Sequence, residues 1–157
     1  MLTQTAVGEP VEWQYPGSSA APYAIVGDNT WRDYTVSARV VLPPSAALPP
    51  PGAALIARFQ GFRGTTVSHF RGYELEVSGD GAWQIVANGP APVTLASGQV
   101  AAARSYAMSL TTRGTTISAS INGARVATVT NSAYQDGPAG LGSLGYDPVQ
   151  YPRFGVG

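Results

Sequence analysis

The sequence predicts an all-β fold, a two-sheet antiparallel sandwich or a barrel, on three observations. Apolar residues recur with period two in short runs, as in half-buried strands. Nineteen Gly and thirteen Pro break the chain into short segments. No window of ten residues carries an apolar stripe of period 3.6, so no helix is expected. Turn signals every ~8–12 residues give about eleven or twelve strands, and two layers of about six account for residues 1–157 as a single domain.

The elements follow in order. Over 34–42, Tyr34, Val36, Ala38, Val40 and Leu42 share one face, and Thr35, Ser37, Arg39 and Val41 the other. A Pro-rich run over 43–52 cannot sustain a ladder of hydrogen bonds and reads as a loop with polyproline character. A second strand is expected over 54–60, with Leu55, Ala57 and Phe59 opposing Ile56, Arg58 and Gln60. Tyr73, Leu75 and Val77 then alternate with Glu74 and Glu76. The turn Ser78-Gly79-Asp80-Gly81 leads into a strand over 83–88. Tyr106, Met108 and Leu110 alternate with Ser109 and Thr111, and Arg113-Gly114 makes a tight turn. Asn122-Gly123 joins strands over 117–121 and 125–130, because Asn-Gly readily takes the positive φ values a two-residue hairpin turn needs.

Composition excludes several chemistries. Nine Arg, with no Lys, balance nine Asp plus Glu, and this lacks the basic excess of a phosphate-tracking nucleic-acid binder. Cys is absent and His69 is the one histidine, which removes thiolate nucleophiles, disulfides and multi-histidine metal sites. No stretch approaches the ~20 apolar residues of a membrane-spanning helix. Met1-Leu2-Thr3-Gln4 shows neither the charged nor the apolar region of a signal peptide.

A series of short motifs carries a family resemblance. Ala24 to Val36 contains Gly27-Asp28-Asn29-Thr30-Trp31. It is followed in order by Ala57-Arg58, Gly72-Tyr73, Leu95-Ala96-Ser97-Gly98-Gln99-Val100, Ile121-Asn122-Gly123 and Gly137-Pro138-Ala139-Gly140-Leu141-Gly142. Leu2-Thr3-Gln4 and Pro10-Val11-Glu12-Trp13 fit at the N-terminal end. This series resembles the C-terminal lectin-like domain of galactocerebrosidase-type glycoside hydrolases over nearly the whole chain. The resemblance implies a concanavalin-like, laminin-G-like jelly roll that does not itself catalyse. It implies an extracellular or secreted setting, a glycan or glycoconjugate as ligand, and a neighbouring catalytic domain of a glycosidase whose substrate cleft it helps to form. Domains of this kind often bind calcium, but Pro152 stands where the family tends to place a carboxylate, and the first-strand ligands have no counterpart here. Calcium needs six to eight oxygen ligands, so no calcium site and no other cofactor is expected. A shortened first strand leaves a sheet edge that invites pairing with a second copy.

Among candidate sites, the acid-free stretch from Arg58 to Tyr73 stands out. Sugars present apolar CH faces and many hydroxyls, so their sites combine aromatic surfaces with multidentate donors. Arg58, Gln60, Phe62, Arg63, His69, Arg71 and Tyr73 supply both, and are the expected ligand-binding residues, against the alternative that Phe59, Phe70 and Tyr73 are core. Glu74 and Glu76, about 6.6 Å apart on one strand face, have the spacing of a glycosidase carboxyl pair. The alternative is a polar sheet face on which they pair with Arg58 or Arg71. His69 lacks the Gly-x-Ser-x-Gly elbow of a hydrolase triad. Asp28 and Asn29 either ligate a cation or sugar hydroxyl or form an Asx-type turn that seats Trp31. The remaining readings are a structural or protein-interaction sandwich without sugar binding, and a standalone glycosidase.

Overall fold

The computed structural model describes residues 2–3, 23–44, 49–61, 70–144 and 148–157. Among them are twelve strands and no helix: β1 (Leu2–Thr3), β2 (Tyr23–Val26), β3 (Tyr34–Val41), β4 (Gly52–Ala57), β5 (Gly72–Ser78), β6 (Ala82–Asn88), β7 (Val93–Gln99), β8 (Ser105–Arg113), β9 (Thr116–Ile121), β10 (Ala124–Thr130), β11 (Ala139–Ser143) and β12 (Gln150–Val156). They form two antiparallel six-stranded sheets, ordered β1-β12-β3-β8-β9-β10 and β2-β11-β4-β5-β6-β7. The fold is therefore a jelly-roll-type sandwich rather than a barrel. Consecutive hairpins build β4 to β7 in the second sheet and β8 to β10 in the first, and the chain changes sheet at β1–β2, β2–β3, β3–β4, β7–β8, β10–β11 and β11–β12.

Period-two patterning sets the core. Val36 and Val40 of β3 are fully buried, whereas Ser37 and Arg39 between them are open to solvent. Val36, Val40 and Leu110 of the first sheet meet Leu55, Leu75 and Ile85 of the second, all with no exposed surface. Each such side chain contributes roughly 1.5–3 kcal/mol relative to an exposed one.

Turn chemistry holds the registers. Asn122 (φ 53°) and Gly123 (φ 82°) take the left-handed values of a hairpin turn, and the Asn122 side chain accepts the Ala107 N–H at 2.9 Å. At the β5–β6 turn, Asp80 accepts from Ser78 Oγ at 2.7 Å and the Ala82 N–H at 3.1 Å. Asp28 does form the Asx-type turn. Its Oδ1 accepts the Thr30 N–H and hydroxyl, both at 2.8 Å, and these hydrogen bonds hold its carboxyl below the usual range. Trp31 then packs edge-on against Tyr34, with ring centroids 5.7 Å apart.

The expected strand over 54–60 ends early, at Ala57. Arg58 takes φ 52°, a left-handed conformation that stops the extended ladder and turns its side chain out of the alternation. The expected loop over 43–52 is also shortened, since Gly52 already pairs with Ser78.

Candidate functional site

The stretch singled out in sequence divides in the structure. Arg58 is 1% exposed. Its N–H donates to Tyr34 Oη at 2.6 Å and its Nε to the Arg32 carbonyl at 3.0 Å. One terminal nitrogen donates to the Gly114 and Tyr134 carbonyls at 2.8 and 2.9 Å, and the other meets Asp33 Oδ1 at 3.3 Å. The guanidinium thus ties the connection before β3, the β8–β9 turn and the connection before β11. Tyr73 is fully buried, and its hydroxyl is engaged by Asn131 Oδ1 (2.9 Å) and the Tyr134 N–H (3.2 Å). Neither Arg58 nor Tyr73 presents a surface to a ligand, which corrects the expectation for both. A period-two reading points Arg58 outward, and the left-handed backbone reverses it.

Gln60 and Arg71 remain near the surface and are brought together. The Gln60 N–H donates to the Arg71 carbonyl at 2.8 Å, and the Arg71 N–H to the Gly61 carbonyl at 3.2 Å. The Gln60 amide donates to Asp136 Oδ1 at 3.3 Å, while the buried Nε of half-buried Arg71 has no hydrogen-bond partner among the described residues. Phe62, Arg63 and His69 lie outside the described residues. Phe59 and Phe70 stack with Tyr23, with centroids 5.7–5.8 Å apart, so this aromatic group is structural cover.

The second sheet carries a polar network on the face away from the core. Register places Glu74 opposite Ile56 and Val86, and Glu76 opposite Ala54 and Gln84. Asn88 Nδ2 donates to Glu74, Gln84 Nε2 donates to Glu76, and Thr94 Oγ1 donates to Gln84 Oε1 at 3.4 Å. Neutral amides, rather than the expected Arg58 or Arg71, are therefore the partners of both carboxyls. Arg58 is inside the sandwich, and an amide two residues or fewer from the cross-strand position reaches without a long side chain. Glu74 is 8% exposed. Burial first, and the Glu76 charge second, push its carboxyl up to about 8. Both causes favour the protonated form of Glu74. Glycoside hydrolysis needs two carboxyls flanking a scissile bond. Here Glu74 is buried, and of the two only Glu76 lines open space.

That open space is a groove of about 350 Å³ over the turn end of β5 to β7, lined by Glu76, Ser78, Gln84, Ser97 and Leu144, with Ala82, Trp83 and Gly98 below. Gly98 is required beside the indole, because a Cβ there would fall 2.7 Å from the Trp83 ring. The groove offers a carboxylate, an amide and hydroxyls beside one apolar wall. This donor and acceptor set matches a polyhydroxylated ligand with an apolar face. Sequence reasoning passed over Gln84 and Ser97, although the Ser78–Gly81 turn already sets Glu76 opposite Gln84. Pro152 is exposed in β12 and offers no carboxylate, and among the described residues no three acidic or imidazole groups gather around a point.

The family model described as the galactocerebrosidase C-terminal lectin domain matches residues 1–157. No curated protein matches the sequence. Among solved structures, the chain is similar to a Bacillus subtilis protein with a galectin-like fold, at 14% identity and a TM-score of 0.66, covering 90% of this chain and 79% of that one. It is also similar to the carbohydrate-binding module CBM66 from Bacillus subtilis, at 12% identity and a TM-score of 0.63, covering 88% and 92%. The Caenorhabditis elegans galectin LEC-6 shares 13% identity at a TM-score of 0.55, covering 96% and 99%. At these identities the likeness establishes the fold.

Two predictions follow from this geometry. Arg58→Ala removes the side-chain hydrogen bonds of a buried cation and should cost about 2–4 kcal/mol. Chemical denaturation should show it, whereas Gln60→Ala should change the midpoint little. Glu74 has a folded pKa raised above its unfolded value of about 4.5, so its contribution to stability is full below pH ~4.5 and is lost as pH rises through about 8. Denaturation midpoints of the parent should fall over that window, and Glu74→Gln should flatten the fall.

Proposed function

The chain belongs to the galactocerebrosidase C-terminal lectin-domain family, and from that premise we propose that it is a non-catalytic carbohydrate-binding domain, accessory to a glycosidase and acting outside the cell. The single observation that carries this reading is the groove over Glu76, Gln84 and Ser97. The Glu76 carboxylate accepts hydroxyl protons, the Gln84 amide and Ser97 hydroxyl donate and accept, and Leu144 meets the CH face of a ring. Galactose-containing glycans are the proposed ligands, in keeping with the family description. The burial of Glu74 supports a binding role over a hydrolytic one, since only one carboxyl of the pair lines the groove. The similar CBM66 structure is itself a carbohydrate-binding module. The pairing of Gln60 with Arg71 marks a second rim, at the opposite end of β5, where a longer glycan or the substrate cleft of a partner catalytic domain would be met.

One observation favours a second reading. Val26 and Val93, 45% and 55% exposed, lie on β2 and β7, the two edge strands of the second sheet. Exposed apolar edges suit association through sheet edges, as in a structural sandwich or a homo-oligomer.

Calorimetric titration with lactose separates the two. Saturable binding is expected, weakened about tenfold by Gln84→Ala at an unchanged melting temperature, equivalent to one lost hydrogen bond of about 1–1.5 kcal/mol. No binding at millimolar lactose, together with a concentration-dependent dimer in sedimentation, would instead support the structural reading.

A further inference from the structure

The outer face of the first sheet is built unlike any other surface among the described residues. Register aligns Ser37, Ser109, Ser120 and Arg125 in one row across β3, β8, β9 and β10. The neighbouring row is Thr35, Thr111, Ser118 and Thr128, in which Thr35 and Thr111 hydroxyls bond at 2.8 Å. Rows two residues apart are ~6.8 Å from one another and strands ~4.8 Å, so the hydroxyls form a flat lattice. Arg39 and Arg153 flank it, directly opposite each other on β3 and β12, and both are exposed. Arg113 stands at the far end of β8, also exposed.

Neither Arg39, Arg113, Arg125 nor Arg153 has an ion pair among the described residues, where the two recorded pairs are Arg32–Asp136 and Arg58–Asp33. Among the described residues, the carboxylate at the rim, Asp33, is turned to Arg58 and the Gly114 N–H. Like charges directly opposite in a sheet destabilise it. Arg39 beside Arg153 is therefore a liability to the fold that an anionic ligand would relieve.

We propose that this hydroxyl lattice, bracketed by Arg39, Arg153 and Arg125, is a second binding surface that takes an extended anionic polysaccharide. Guanidinium groups bind carboxylate or sulfate in a bidentate fork, and Ser and Thr hydroxyls match sugar hydroxyls as both donors and acceptors. Arg125 lies three strands from Arg39, roughly 15 Å at ~4.8 Å per strand, so the cations are spaced for successive charges along a chain rather than for one small anion. Single-stranded nucleic acid is the poorer fit, because the lattice carries no aromatic side chain on which bases could stack. An anionic membrane is poorer too, since the exposed large apolar residues, Val26 and Val93, belong to the other sheet. The surface is separate from the groove on β5 to β7, so either site can exist without the other.

The test is retention of the intact chain on immobilised polygalacturonate, dextran sulfate and neutral dextran at rising salt. Retention is expected on at least one anionic polymer and not on dextran, and the preference between the two reports whether carboxylate or sulfate is read. Affinity should fall steeply between 50 and 200 mM salt and drop at least tenfold in the Arg39→Gln/Arg153→Gln double variant. The double variant should melt no lower than the parent, as the repelling pair is removed. Gln84→Ala should leave retention unchanged. Absence of retention at low salt, or parental retention by the double variant, would overturn the proposal. So would equal binding to duplex DNA or to vesicles of phosphatidylserine, which would mark a surface selective for charge alone.

Discussion

One buried guanidinium closes an end of the sandwich, and the arrangement of the rest depends on it. Arg58 leaves the ladder of β4 with a left-handed φ and donates to three backbone carbonyls and one carboxylate drawn from three separate connections. Burying a cation is costly unless its hydrogen bonds are met, and here Asp33 supplies the counter-charge while Tyr34 takes the backbone N–H. Tyr34 in turn donates to the Gly137 or Pro138 carbonyl, so the connection leading to β11 is fixed by the same cluster. Gly137 sits so close to this knot that a Cβ would fall 2.3 Å from the Phe59 carbonyl.

Closure at that end gives the two sheets different outer faces. The second sheet keeps Glu74 and Glu76 in a network of neutral amides, with Glu74 pushed toward its protonated form by burial, and opens a small groove where the network reaches solvent. Among the described residues, the outer arginines of the first sheet have no ion pair, and the nearby Asp33 is engaged by Arg58. Among the described residues, Glu74 and Glu76 thus sit in a hydrogen-bonded cluster on one face, and Arg39, Arg125 and Arg153 stand without ion pairs beside hydroxyls on the other.

Much of this was legible in the sequence where a local rule governs. Alternation over 34–42 and 106–111 marks the strands of the core, and Asn122-Gly123 declares its turn through backbone needs that few residues meet, whereas Asp28 reads equally as ligand or turn until its bonds to Thr30 are seen. Turn centres also imply cross-strand neighbours, so Glu76 with Gln84 and Ser120 with Arg125 could have been paired from the sequence. Arg58 and Tyr73 could not be placed the same way. Their burial depends on carbonyls and side chains 24 to 76 residues distant, and on a φ value that alternation does not encode. An arginine between buried alanines and an aromatic run reads equally as rim or pin.

The central claim is that sugar contacts the outer face of β5 to β7 while the Arg58 cluster serves the fold. Backbone amide shifts recorded during titration with lactose test it most directly. Saturable shifts are expected at Glu76, Gln84, Ser97 and Leu144, with Arg58, Tyr34 and Gly137 unmoved. Shifts centred on Arg58 and its neighbours, with the groove silent, would contradict it.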